Sequence, residues 1–471
     1  MHNRLLLALL SVGLAAVSAG AQAPQSGLPD APRAVAQMQP PPSPPLPTPP
    51  QSAPPSPPAG LALTRQQAEQ LALRNNPRIS VASLLALAQK QVVRETRSRE
   101  FPTLNGELTG VGAEEGSRIS TGSLTASRLL NHAGGGVELD QLITDFGRTR
   151  NLIASSSYRA QASDQQTQAT REDIVLAADV AFYRALEAQA TLRVARSTVN
   201  ARKAVNDQVG ALTTAKLKST LDQSFAQVNL SEAQLLNLDA QNQYDASMAA
   251  LNEVLGTTSD TQYSLIDDAT PPAPVAATAE DVVALALGRR PDLLALTLTH
   301  TADVHYARAE RDQMLPTISG LGVVGGTPWG PNTASNTYFI QDWYGAAGVN
   351  MQVPIFNGFR YHSEAAEADL RARASDQQRR VLVDQIVRDV RTAWLTMTTA
   401  QQRMTVTAQL LNEANTALDL AGTRYRLGLS SIVELSQAQL QQTQAQIDEA
   451  NARFDYEADL AALRFQSGSQ P

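Results

Sequence analysis

Two hydrophobic periods divide the chain. From Ile174, apolar residues recur at Ala178, Ala181, Ala185, Ala188, Leu192, Ala195 and Val199. From Ile386 they recur at Val390, Ala393, Met397, Ala400, Met404, Thr407, Leu411, Ala414, Leu418 and Ala421. Alternating steps of four and three form a heptad seam, and its small residues let a neighbouring helix approach closely. The first seam predicts a helix over about 147–210, ~95 Å long at 1.5 Å per residue. Each long helix pattern is interrupted and then resumes, over about 219–255 and 431–466. The second interruption is Arg424-Tyr-Arg-Leu-Gly-Leu-Ser-Ser-Ile-Val-Glu434, with Gly428 as its single breaker. The first, within Ala211–Gln227, is a degenerate copy with Lys216 in place of the glycine. Each pair therefore reads as two antiparallel helices with the interruption as the tip.

Elsewhere the pattern predicts one helix over about 64–100, with Thr64 as N-cap and Pro102 ending it, and a partner over about 279–315 ended by Pro316. These two helices have the length to stack end to end on the shorter return helices. After each the period becomes two. Thr103–Gly110 places polar residues at odd positions and Leu or Gly at even ones. Val137, Leu139 and Ile143 alternate with Glu138, Asp140 and Thr144, apart from Gln141 and Leu142; Val349, Met351, Val353 and Ile355 alternate with Asn350 and Gln352. Gly/Ser/Asn-rich loops, Gly112–Gly122 and Gly325–Asn336, lie between strands. Strands of about ten residues with one apolar and one polar face suit the wall of a transmembrane barrel with a wet lumen. A soluble hairpin on a sandwich is the other reading. Tyr338, Phe339, Trp343 and Tyr344 cluster near a strand start, as an interfacial girdle would. Four strands cannot close a barrel, so membrane strands require subunits to share one.

The two halves repeat. Leu71-Ala-Leu-Arg-Asn-Asn-Pro77 aligns with Leu285-Ala-Leu-Gly-Arg-Arg-Pro291 at an offset of 291 − 77 = 214, which also pairs Arg94 with Arg308 and Pro102 with Pro316. Ala162-Ser-Asp-Gln-Gln166 recurs as Ala374-Ser-Asp-Gln-Gln378 at 374 − 162 = 212, as do Arg148/Arg360, Phe182/Trp394 and Tyr244/Tyr456. The offset changes in a loop, where indels are tolerated. The organisation is a first repeat over 61–257, a linker over 258–278, a second repeat over 279–467 and a tail, 468–471.

Composition sets the compartment and excludes most chemistry. Residues 1–21 carry Arg4, an apolar run from Leu5 to Val17 and the small-residue site Ala19-Gly20-Ala21, the pattern of an export signal. The run is too short to span a bilayer. Residues 22–60 are proline-rich, an extended spacer without a core. A net charge of −7 gives no basic footprint for nucleic acid. There is no cysteine, so disulfides, thiolate chemistry and N-terminal cysteine lipidation are excluded. His132, His300, His305 and His362 lack metal-ligand spacing. Gly134–Gly136 is a strand-entry loop without the lysine of a phosphate cradle, Asp267-Asp268 belongs to the linker, and Met397 and Met404 lie on the seam. No cofactor, metal or catalytic group is expected.

Leu73–Pro77 and Leu287–Pro291, Asp145-Phe-Gly-Arg148 and Phe356-Asn-Gly-Phe-Arg360, and the Arg424–Glu434 turn follow in the order of a known family. Over residues 61–471 the chain resembles the TolC-like outer membrane efflux proteins. The resemblance implies a mainly helical fold with a transmembrane β-barrel: a homotrimer of 12 strands, four per chain, continued by a long helical tunnel into the periplasm. It implies outer-membrane lipid around the barrel, a periplasmic adaptor and an inner-membrane pump as partners, and passive export of small molecules with no catalysis. Type I protein secretion is the alternative within that class, and a pore-less periplasmic coiled coil the alternative outside it. By position, the adaptor-contact tips are Lys216, Leu217, Lys218 and Ser219, and Arg426, Leu427, Gly428, Leu429, Ser430 and Ser431. Asp222 and Glu434 match the acidic gate ring, Gln437 replaces a second acid, and Tyr425 matches a gate-locking aromatic.

Overall fold

The computed structural model describes residues 61–112, 132–257, 263–267, 278–329 and 343–468. The expected export signal and proline-rich spacer, and Tyr338 and Phe339, lie outside them. Strand β1 (Leu61–Leu63) leads into α1 (Arg65–Asn75) and α2 (Pro77–Arg97). Strands β2 (Thr103–Val111) and β3 (His132–Thr144) precede α3 (Arg148–Thr214) and α4 (Thr220–Val254). Strand β4 (Tyr263–Leu265) opens the second round: α5 (Ala279–Arg289), α6 (Pro291–Asp312), β5 (Thr317–Trp329), β6 (Trp343–Gln352), α7 (Arg360–Arg426) and α8 (Ile432–Gln466). The long helices α3 and α7 have 67 residues each, and α4 and α8 have 35 each.

The seams are where the periodicity puts them. Ile174, Ala178, Ala185, Ala188, Leu192 and Ala195 are buried along α3, as are Ile386, Val390, Met397, Ala400, Ala414 and Ala421 along α7. The α7 seam runs on to Tyr425, the last buried residue before the turn. In α3 the same steps reach Arg202 and Val209, both buried. Burial pushes the Arg202 guanidinium below its ordinary pKa, with the charge of Glu232 opposing.

Each expected flanking helix is broken in two. Asn76 and Arg290 hold ψ of 121° and 123°, outside the helical region. Each precedes a proline, whose ring excludes the helical conformation from the residue before it. The breaks make the end-to-end joints. Asn76 accepts from Arg78 N at 3.0 Å and donates through Nδ2 to Val254 O, at the end of α4, at 2.9 Å. Arg290 donates to Gln466 at the end of α8. So α2 continues the line of α4, and α6 that of α8.

Two further differences concern strands. The linker contains β4, which pairs in parallel with β1. Arg453 on α8 ties it down through Asp267 at 2.8 Å. Three-residue strands carry no readable period. The other four strands form one antiparallel sheet, β2-β3-β5-β6. The alternation fails at Gln141–Leu142, next to a register shift between Leu142 and Thr144. Strand β6 ends at Gln352, short of Val353 and Ile355.

Where α1 packs on α3, Asp179 is 4% exposed and lies 3.4 Å from Arg65 Nη1, which also pairs with Glu69. Burial, first, and the neighbouring Glu69 push its carboxyl up to about 7, against Arg65. A folded-state value above the ordinary 3.8 means that ionisation costs stability. That cost is absent below pH 3.8, grows as pH rises and is complete above about 7. Thermal unfolding from pH 4 to 8 tests this: Asp179→Asn is expected to flatten the decline of the wild-type midpoint. A slope equal to that of the wild type would exclude Asp179 as its source.

Both hairpin tips close with one backbone motif. Leu217 N donates to Leu212 O at 2.8 Å and Lys216 N to Thr213 O at 3.0 Å; Leu429 N donates to Arg424 O at 2.9 Å and Gly428 N to Tyr425 O at 3.1 Å. This is a Schellman cap, which requires a left-handed residue after the helix. Gly428 supplies it with φ of 71°, and Lys216 adopts it with φ of 61° despite its Cβ. The left-handed conformation costs an ordinary residue about 1 kcal/mol. Lys216→Gly is therefore expected to slow amide exchange at Leu217 about fivefold, and Gly428→Ala to speed it at Leu429 by a similar factor.

Candidate functional site

Two regions bear on function: the paired tips and the four-stranded wall. At the tips Ser219 caps α4. Its Oγ accepts from Asp222 N at 3.1 Å and donates to Asp222 Oδ2 at 2.9 Å, and its N–H donates to the same oxygen at 3.1 Å. The Asp222 carboxylate is thus engaged in a reciprocal cap. Ser431 caps α8, accepting from Glu434 N at 3.4 Å. Glu434 pairs with Arg424, Nε to Oε1 at 3.3 Å. Both proposed gate acids therefore have local partners, and the arginine beside Glu434 offsets its charge.

Tyr425 is 7% exposed and packs with Val209 and Ala226 of the first pair and with Ile432 and Leu435 of α8. This apolar cluster joins the two hairpins behind their tips. Lys218 Nζ stands 4.2 Å from the centre of the Tyr425 ring, a cation–π contact between the two tips. Burial, then the charge of Asp222, raises the Tyr425 phenol pKa. Lys218 thus brings a cation from the first hairpin onto the Tyr425 ring of the second. Position-by-position reading missed this, and the signal available was a second lysine two residues beyond Lys216.

The rest of the tip sequence divides by exposure. Leu217, Leu427 and Leu429 are 71%, 68% and 67% exposed. Leu217 and Leu429 occupy the same position of the two Schellman caps. Arg426 is exposed and donates to Thr423 Oγ1 at 3.1 Å. Gln437 lies away from the Tyr425 cluster, on a groove of about 420 Å³ between α4 and α8 bordered by Phe225, Val228 and Leu440. Asn229 bridges the two helices there, Nδ2 to Ser436 Oγ at 2.6 Å.

The wall has two chemically distinct faces. Directly opposed residues in an antiparallel pair share a face. Leu104 opposes Leu139, Val137 opposes Val324, and Ile318 opposes Met351; Leu108, Val349 and Trp343 belong to the same face. The other face carries Thr103 opposite Asp140, Asn105 opposite Glu138, and Ser319 opposite Asn350, with Leu321 and Val323 of β5 set among them. Among the described residues, the outer strands β2 and β6 each have one edge without a partner. An apolar band of this height beside a polar face is the chemistry of a barrel strand set in lipid. No helix among the described residues is long and apolar enough to cross a membrane.

Comparison with known proteins places this geometry. The chain is 23% identical over 412 residues to the outer membrane efflux protein BepC of Brucella suis, covering 84% of this chain and 83% of that one. It is 22% identical over 405 residues to the outer membrane protein TolC of Vibrio cholerae, covering 83% and 88%. Among solved structures, that of CusC, described for its transmembrane channel formation, superposes with a TM-score of 0.74 at 17% identity, over 86% of this chain and 92% of that one. The fold is that of these outer-membrane channels: a duplicated helical unit with a four-strand share of a barrel. The outer membrane efflux protein model matches residues 68–257 and again 282–469, and the chain belongs to that family.

Proposed function

We propose that this chain is the outer-membrane exit duct of a tripartite export assembly, carrying small molecules delivered by an inner-membrane pump through a periplasmic adaptor. The observation that carries the reading is the wall: an apolar face, a polar face and two open edges. Open edges inside a bilayer leave unpaired backbone groups at a cost of several kcal/mol each, so the sheet must close on other copies. Three copies joined β2 to β6 give a closed 12-stranded barrel around a wet lumen, and their long helices a tunnel below it. The exposed leucines at the Schellman caps offer the adaptor apolar contacts at the tunnel's far end. Behind them, the Tyr425 cluster and the Lys218 contact hold the two hairpins of each chain together and the entrance narrow. A periplasmic stalk without a pore gives no reason for a wall with one apolar face.

The assembly is tested by the detergent-corrected light-scattering mass of protein extracted from the outer membrane. A mass near three chains is expected; a monomer, or protein recovered soluble from the periplasm, would remove the barrel. Loss of the gene is expected to sensitise cells to toxic small molecules. Loss of a secreted polypeptide with unchanged sensitivity would shift the reading to protein secretion.

The gate makes its own prediction. Arg424 and Glu434 form a half-exposed pair worth at most about 1 kcal/mol, so its main effect is on local charge. Arg424→Ala frees three carboxylates per trimer and is expected to raise cation over anion permeability in planar bilayers under a salt gradient. Glu434→Gln leaves three arginines uncompensated and is expected to lower it. Shifts in the same direction for both would place the pair outside the ion path.

A further inference from the structure

One row of residues crosses all four strands at a single height. Glu107 of β2 opposes Gly136 of β3, Gly136 opposes Gly325 of β5, and Gly325 opposes Tyr344 of β6. All four sit on the polar face. The glycines make room for the tyrosine. A Cβ at Gly136 would meet Tyr344 Oη at 2.9 Å, and one at Gly325 would meet Oη at 2.5 Å and Cζ at 2.6 Å. The phenol end of Tyr344 thus lies across both glycines, reaching from β6 toward the strand that carries Glu107. The rest of the side chain stays open, at 43% exposure. Glu138, on the same face of β3, borders the same space. Thr109, Thr327, Val137 and Val323 border the same cavity, of about 270 Å³.

The charge around it is of one sign. The strands contain Glu107, Glu138 and Asp140, all on the polar face, and no lysine or arginine. An accessible aromatic ring held beside two carboxylates attracts a cation twice, through the ring quadrupole and through full charges. A strongly hydrated metal ion has little use for the ring, and a neutral molecule gains at most a hydrogen bond, not charge attraction, from the carboxylates. A soft, weakly hydrated organic ammonium ion uses both. We propose that the Tyr344–Glu107–Glu138 trough is a binding site for small organic ammonium ions in the barrel lumen. The site rests on the channel reading, which makes the polar face a lumen, and recurs once per chain.

The test is equilibrium binding of choline to the detergent-solubilised full-length protein by titration calorimetry. Its uncharged isostere, 3,3-dimethylbutan-1-ol, runs alongside, and the light-scattering mass is taken on each sample. Saturable choline binding is expected, with the alcohol at least about tenfold weaker. Glu107→Gln with Glu138→Gln is expected to weaken choline about tenfold. Tyr344→Leu should weaken it about threefold, while Tyr344→Phe, which keeps the ring, retains it. If the double glutamine variant does not assemble, the comparison of Tyr344→Leu with Tyr344→Phe decides. A wild-type trimer with no saturable choline binding, or equal affinity in all variants, overturns the site and leaves the channel standing. A wild-type sample that is not trimeric overturns the channel reading itself.

Discussion

Close approach of long helices along seams of small residues is the constraint on which the rest of the structure depends. Along α3 and α7 most buried positions hold alanine, serine or threonine, with Ile174, Phe182, Leu186, Leu192, Ile386 and Met397 among the larger side chains. Alanine buries little area per residue, so stability must accumulate over length, and the helices are long for that reason. Length then forces the joints. A 67-residue helix cannot be matched by one 35-residue return helix. The chain fills the remainder with α2 and α6, set end to end on α4 and α8 through Asn76 and Arg290. The proline that breaks each flanking helix also frees the residue before it to make that junction.

The duplication keeps the same backbone turns where it is loose in sequence. Lys216 and Gly428 take the same left-handed conformation at equivalent places in the two tips. At the upper ends of the long helices Phe146-Gly147 and Gly358-Phe359 both have positive φ, although glycine and phenylalanine have exchanged places. Each junction therefore keeps one non-glycine residue in a conformation that costs it about 1 kcal/mol. The surrounding hydrogen bonds hold it there. Asp145 accepts from Gly147 N at 3.3 Å and from Thr149 N at 2.7 Å, bracing the first junction. The turn between wall and tunnel is set by geometry rather than by a particular residue.

What the sequence makes legible follows from how far each signal extends. Eleven seam positions in α7 overdetermine one helix, and the 212-residue offset carries that reading to α3. The strand faces are legible because alternation and polarity agree, and the alternation weakens at Gln141–Leu142, beside the register shift. Short or context-dependent features are not legible. The β1–β4 pair is three residues on each side and joins segments about 200 positions apart. The partners of the gate residues are hidden for the same reason. Nothing local to Tyr425 announces Lys218, and the Arg424–Glu434 pair exists only because the turn folds one helix back on the other. Position matching finds the residues of such a site and misses the charges that balance them.

That balance bears on where an ion would be selected. At the tips Asp222 is engaged by the Ser219 cap and Glu434 by Arg424, so a ring of acids counted from sequence overstates the local field. In the wall the position is reversed. Glu107, Glu138 and Asp140 share one face of strands that hold no lysine or arginine, within a space whose low-dielectric walls focus the field. Three copies would bring nine carboxylates into a lumen one barrel wide. On the proposed channel reading, these charges put the stronger preference for cations in the barrel, and leave the tips, joined by the apolar cluster around Tyr425, as a mechanical constriction.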